Sequence, residues 1–222
     1  MEDYLLKISI MLVPGLMAIT FHEVAHGYVA WHFGDPTARM LGRLTINPLK
    51  HLDIVGTLMM LLIGIGWAKP VPVVAENLRN PARDMIWVAA AGPITNMVLA
   101  VLSAVVFRGL VGVVPAVPAD GLAGMVLTPV LLMLIFSIYI NLLLAIFNLL
   151  PIPPLDGGRI MVGILPRPLS DALAGLERFG MIIILLLVVT RIINPLILPL
   201  HSLAFDLLVG SGKFQILKPL MQ

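Results

Sequence analysis

At 222 residues the chain is short enough for one soluble domain, yet 59% of it is hydrophobic and only 12% is charged, about half the usual charge of such a domain. That balance excludes an ordinary water-soluble globule, and a net charge of +2 carries no nucleic-acid footprint, since basic residues in membrane chains usually mark cytoplasmic loops. With no cysteine, a disulfide framework and a thiolate metal site are both excluded, so any metal must be held by His, Asp or Glu.

The N-terminus, Met1-Glu2-Asp3-Tyr4, is acidic and lacks both a basic n-region and an A-x-A cleavage site; it reads as the start of an uncleaved membrane segment. Leu5 to Phe33 reads as one long helix, apolar at first and then polar at His22, Glu23 and His26, closed by Gly34-Asp35-Pro36. The run Arg39–Ile46 partly alternates, which predicts a short hairpin or edge strand. Leu52 to Trp67 is apolar but short and carries Gly56, Gly64 and Gly66, and a proline-rich polar loop through Lys69-Pro70-Val71-Pro72 follows. Met85 to Phe107 gives 23 residues without a charge and Val126 to Leu150 gives 25. About 20 such residues span a bilayer as a helix. Residues 109–125 read as a Gly/Pro loop, and 171–209 as two further helices interrupted by Arg191, Asn194, Pro195 and Pro199.

Charge sets the topology. If 52–67 is re-entrant or interfacial and does not cross, the loops at 34–84, 151–178 and 210–222 share one side and hold eleven of the fourteen Lys and Arg residues. The positive-inside rule places that side in the cytosol. The same arrangement brings the ends of the first helix and of the 126–150 helix to one membrane face. The expected fold is an all-α polytopic membrane protein of about five to six transmembrane helices, five being favoured, with the N-terminus outside. It forms a single domain over 1–222, with a catalytic core at about 5–160 and accessory helices at about 171–209.

The chemistry lies at His22-Glu23-Val24-Ala25-His26. Histidines at i and i+4 project from one helix face and can bind one metal ion, and zinc accepts such a pair with a third protein ligand and a water. Glu23 is rotated by roughly 100° from His22, beside the metal, where it can act as general base on water whose pKa the metal lowers toward about 7. Ionisable groups inside an apolar helix are costly and functional by default. His32 and His51 fall on an interfacial stretch, and with His201 they read as loop or interface residues. Asp156 follows a membrane helix at the required face, and Gly157 and Gly158 allow a sharp backbone there; taken alone it also fits a turn aspartate. Asn148 can donate to a substrate carbonyl or its oxyanion, or cap a helix terminus. Asn96 reads as an interhelical hydrogen-bonding residue or a substrate contact.

The segment His22–His26 together with Asn148-Leu149-Leu150-Pro151-Ile152-Pro153-Pro154-Leu155-Asp156-Gly157-Gly158 resembles the paired signature of the site-2 protease family of intramembrane zinc metalloproteases. Gly92-Pro93-Ile94-Thr95-Asn96 resembles that family's G-P-x-x-N element. The stretch from Gly42-Arg43-Leu44-Thr45-Ile46-Asn47-Pro48 through Trp67-Ala68-Lys69-Pro70-Val71-Pro72 resembles the compact branch without a PDZ domain. His51-Leu52-Asp53-Ile54 departs from that branch in lacking a proline after the aspartate. The resemblance implies a three-helix core, one zinc ion held by His22, His26 and Asp156, and Glu23 as base. It implies a metalloendopeptidase acting in or beside transmembrane segments of single-span proteins or remnant signal peptides, with no nucleic-acid partner and self-association left open. The compact form suits a prokaryotic cell membrane, with the site nearer the cytosolic face. The rival is a zinc transporter, which predicts several ligand-bearing helices and a His-rich loop; the chain has one such helix and no such loop.

Overall fold

The computed structural model describes residues 2–63, 66–111 and 121–210, so most of the expected loop at 109–125 lies outside the described residues. Among them the chain is all-helical: α1 Glu2–His32, α2 Thr37–Met40, α3 Ile54–Ile63, α4 Pro81–Val111, α5 Leu122–Asn148, α6 Asp156–Ile164, α7 Leu169–Gly175, α8 Glu177–Val189 and α9 Asn194–Val209.

Three helices are long and apolar enough to cross a membrane: Ile8–His32, Pro81–Val111 and Met125–Asn148. Each shows apolar side chains to its surroundings, such as Leu12, Val13 and Met17 on α1 and Val101, Leu102 and Val105 on α4. Water would penalise so much exposed apolar surface, whereas lipid does not. α7 and α8 meet at a bend of 67°, making a fourth span if the pair crosses as one, and α9 is a shorter apolar helix of 16 residues.

The strand or hairpin expected over Arg39–Ile46 is not formed; the region opens with α2 instead. Asp35 Oδ1 accepts the Thr37 N–H at 3.1 Å and turns the chain into that helix. Gly42, at φ +64, ends the turn: its N–H bonds Arg39 O at 3.0 Å and the Arg43 N–H bonds Ala38 O at 2.8 Å. This is a Schellman cap, in which glycine supplies the left-handed residue. The apparent alternation was therefore a helix stop.

The 52–67 segment leaves and returns at one place. Leu52 and Ala68 form an isolated antiparallel bridge, and the Lys69 N–H bonds His51 O at 2.9 Å. Between them α3 has 10 residues, about 15 Å of helix against a hydrocarbon core of about 30 Å. Asp53 caps α3 by accepting the Gly56 N–H at 2.8 Å. Ile54, where the family proline is missing, is the first helical residue, a position that proline favours but does not require.

By its contacts the chain divides into two compact units, neither a continuous stretch. One comprises Met1–Ala18, Asn96–Ile146 and Ile193–Gln222. Its core places Ala100, Ala104 and Phe107 of α4 against Ile135, Ile138 and Leu142 of α5 and Phe205 and Val209 of α9. The alanines at i and i+4 let the backbones approach closely. The other unit comprises Ile19–Thr95 and Phe147–Ile192 and holds the candidate site. At the end of α1 it is organised by buried Asp35, which also accepts the Val74 N–H at 2.8 Å and the Asn77 amide at 3.0 Å.

Candidate metal centre

One turn of α1 separates His22 from His26, and the two rings meet edge to face with centroids 4.6 Å apart. Their Nε2 atoms lie 3.0 Å from each other. The far side of His26 is tied down, because its Nδ1 lies 2.7 Å from the carbonyl oxygen of Val88. A carbonyl only accepts, so Nδ1 carries the proton and the Nε2 lone pair faces His22.

Asp156 closes the set. Its Oδ2 is 3.2 Å from His22 Nε2 and 3.4 Å from His26 Nε2. It is the first residue of α6, where a carboxylate suits the helix dipole. Gly157 and Gly158 hold it there, but not through unusual dihedrals. Both are helical, and a Cβ on them would fall 2.2 Å from Leu149 O and 2.3 Å from Pro153 N. Their role is close approach: the 149–153 turn packs directly on the start of α6. Burial pushes the Asp156 carboxyl up, but the adjacent His22 and His26, when they carry a proton toward it, outweigh burial and hold it at about 2. The side chain is therefore an anion.

These residues fit a metal ion. Three buried ligand atoms form a triangle with edges of 3.0, 3.2 and 3.4 Å. Ligands about 2.0–2.1 Å from zinc at tetrahedral angles lie about 3.3 Å apart. Asp156 Oδ2 is buried and makes no well-aligned hydrogen bond, which leaves its lone pairs free for a cation. Among the described residues, this is the group of His and carboxylate side chains close enough to share one ion. α4 closes the back of the set, since a Cβ on Gly92 would come within 2.4 Å of His26 Nε2.

Glu23 is engaged on one side only. Its Oε2 accepts the Val71 N–H at 2.8 Å, and among the described residues its other oxygen has no hydrogen-bond partner. Asn148 is the last residue of α5 and is half-buried. Asn96 lies in the other unit, fully buried, and its amide donates to Ala18 O at 3.1 Å and to Asn141 Oδ1 at 2.8 Å. Both amide hydrogens are thereby engaged, an arrangement that suits the interhelical brace. His51 and His201 face the backbone carbonyls of Thr45 at 2.9 Å and Tyr139 at 3.0 Å, as structural histidines do. Val88, Val71 and Gly92 were not singled out from sequence as site residues. The first two contribute only backbone atoms, and the third contributes the absence of a side chain.

A model of peptidase family M50 matches residues 10–188, a span that includes His22, His26 and Asp156. The chain belongs to peptidase family M50. This family member is therefore a metalloprotease, and its apolar helices make it an integral membrane protein. It is 39% identical over 210 residues, 94% of this chain and 89% of the relative, to a Bacillus subtilis protein named as a candidate zinc metalloprotease, YwhC. It is 31% identical to the Mycolicibacterium smegmatis candidate zinc metalloprotease Rip2, over 90% of this chain and 74% of the relative. A Methanocaldococcus jannaschii candidate zinc metalloprotease, MJ0611, is 28% identical over 79% of this chain and 80% of its own. No solved structure matches the chain.

Proposed function

We propose that this M50 peptidase hydrolyses peptide bonds in or beside the transmembrane segments of membrane proteins, as a single membrane-embedded enzyme acting in regulated intramembrane proteolysis. The observation that carries the reading is the buried triangle of His22, His26 and Asp156, built on an apolar helix long enough to span a bilayer. His22, His26 and Asp156 would hold a zinc ion, and Val88 orients His26 through its carbonyl. Bound zinc supplies Lewis acidity and lowers the pKa of water to about 7. Glu23 takes the proton of the attacking water on its unengaged oxygen and returns it to the leaving amine. Asn148, at the end of α5, donates to the scissile carbonyl.

Topology supports a site near the cytosolic face of a prokaryotic cell membrane. His22 and His26 near the end of α1 meet Asp156 just after α5, so both helices end on one side. The paired ends of the 52–67 segment support a chain that returns to the side it left, which keeps the flanking Arg39, Arg43, Lys50, Lys69, Arg79 and Arg83 together. Five spans, the last two from the C-terminal helices, complete the arrangement. Membrane-anchored regulators and remnant signal peptides of single-span form are the substrate class.

Co-expression with a panel of single-span membrane proteins tests the reading, comparing the parent with Glu23→Gln. Cleavage by the parent that Glu23→Gln abolishes is expected. Cleavage that survives the substitution would remove Glu23 from the chemistry. Zinc flux into liposomes without proteolysis would make the protein a transporter.

A further inference from the structure

We infer that the Lys69–Pro72 loop is a positioning device for Glu23, fastened in place by Arg43. The inference rests on the protease reading and names how its proposed base is oriented. Three hydrogen bonds pin the loop. The Lys69 N–H reaches His51 O at 2.9 Å, the Lys69 carbonyl accepts Arg43 Nη2 at 2.8 Å, and the Val71 N–H reaches Glu23 Oε2 at 2.8 Å.

The sequence leaves the last of these no competitor. Pro70 and Pro72 have no N–H, so across Pro70-Val71-Pro72 the backbone offers a single donor, and it goes to Glu23. Both prolines also fix φ, and each holds the residue before it extended. The loop can neither rotate the Val71 N–H away easily nor offer Glu23 another partner.

Arg43 supplies the second argument. It is buried, its Nε has no hydrogen-bond partner, and among the described residues it makes no ion pair. A guanidinium taken from water without a counter-charge is unfavourable, and folds keep one where it holds something. What it holds here is the Lys69 carbonyl, two residues before the donor to Glu23. With Oε2 already accepting the Val71 N–H, the other oxygen of Glu23 is the less encumbered of the two for taking a proton. The carboxylate is thus held in one orientation before substrate arrives. Proton transfer depends on such placement, and loss of a supporting contact typically lowers activity about ten- to a hundredfold.

Two measurements on the full-length zinc-loaded protein in detergent test this. The first is amide exchange at Val71, the one exchangeable backbone proton of residues 70–72. Slow exchange in the parent, accelerated about tenfold or more in both Glu23→Ala and Arg43→Gln, is expected; unchanged exchange in Glu23→Ala would overturn the pin. The second is Val71→Pro, assayed on a single-span reporter that the parent cleaves. A fall in kcat of about ten- to a hundredfold with unaltered KM and zinc content is expected. A parental kcat, or a change confined to KM, would overturn the positioning role. If Val71→Pro does not fold, the kcat and KM of Arg43→Gln decide in the same way. Should the parent cleave no reporter, or Glu23→Gln cleave as the parent does, the protease reading fails while the exchange measurement still reports on the pin.

Discussion

Gly92 stands where any side chain would strike His26: a Cβ built on it falls 2.4 Å from His26 Nε2, and 2.5 Å from Cε1 of the neighbouring His22. The backbone of α4 is thus the wall on which both imidazoles rest, and the same helix supplies the Val88 carbonyl to His26. Gly92→Ala must therefore push at least one ring off the triangle. We expect zinc affinity, measured by competition with a chromophoric chelator, to fall about ten- to a hundredfold while the helix content is kept. Parental affinity in a stably folded variant would mean that the rings can retreat without loss, and that the glycine serves helix packing alone.

The roles of the carboxylates are separable by metal content. Asp156→Asn keeps the shape but removes the anion from the triangle, so the purified protein is expected to lose most of its zinc and its activity together. Glu23→Gln leaves His22, His26 and Asp156 in place, so it is expected to retain about one zinc per chain while cleavage is abolished. Zinc analysis of the two variants beside the parent checks both outcomes. Loss of zinc from Glu23→Gln would make Glu23 a ligand rather than a base.

What the sequence made legible follows from which interactions leave a side-chain trace. The i, i+4 histidines did, because helical spacing alone puts them on one face. The long apolar runs at 85–107 and 126–150 did; the structure extends the first to Pro81–Val111 and shifts the second to Leu122–Asn148. Asp156 left a weaker trace: alone before two glycines it reads as a turn aspartate, and its place after a membrane helix, at the face the His22–His26 motif requires, made it the candidate. The helix that it starts was hidden for the same reason, since Gly157 and Gly158 argue against helix by propensity and are there for close packing. Over Arg39–Ile46 the alternation pointed to a strand, while Gly42 was the helix cap that overruled it. The Val71–Glu23 and Val88–His26 contacts had no sequence signal, because a backbone N–H or carbonyl belongs to every residue.

Asp35 gives the fold an acid dependence. It lies beyond the end of α1, where burial pushes its carboxyl up, but donors from the Thr37 hydroxyl, the Asn77 amide and the N–H groups of Val74 and Thr37 outweigh this and hold it below the ordinary range. A carboxyl depressed on folding stabilises fully above its unfolded pKa of about 4, and that contribution is lost as pH falls through the lower folded value. Thermal unfolding of the parent and Asp35→Asn should therefore differ most near neutral pH, with the parent more stable, and should converge below about pH 4. A gap that stays constant from pH 7 down to pH 3 would show that the Asp35 charge contributes nothing to the fold.

Asn96 separates a brace from a catalytic donor. Its amide links Ala18 of α1 to Asn141 of α5, and Asn141 passes the connection on to Ser137, whose carbonyl it meets at 2.9 Å. Ser137 Oγ in turn lies 2.9 Å from Ser103 Oγ on α4. In an apolar surrounding such bonds stabilise helix association modestly, on average about 0.6 kcal/mol and at most about 1.7 kcal/mol for a single site. Asn96→Ala is expected to lower stability by about 1 kcal/mol, read as a shift in denaturant midpoint, with kcat per folded molecule within about threefold of the parent. An oxyanion donor would behave otherwise, since removing one lowers kcat by about 10²–10³ with little change in stability. The ratio of the two effects therefore decides the role: a large fall in kcat in a fully stable Asn96→Ala protein would return Asn96 to the reaction, and the fully used amide hydrogens predict the opposite.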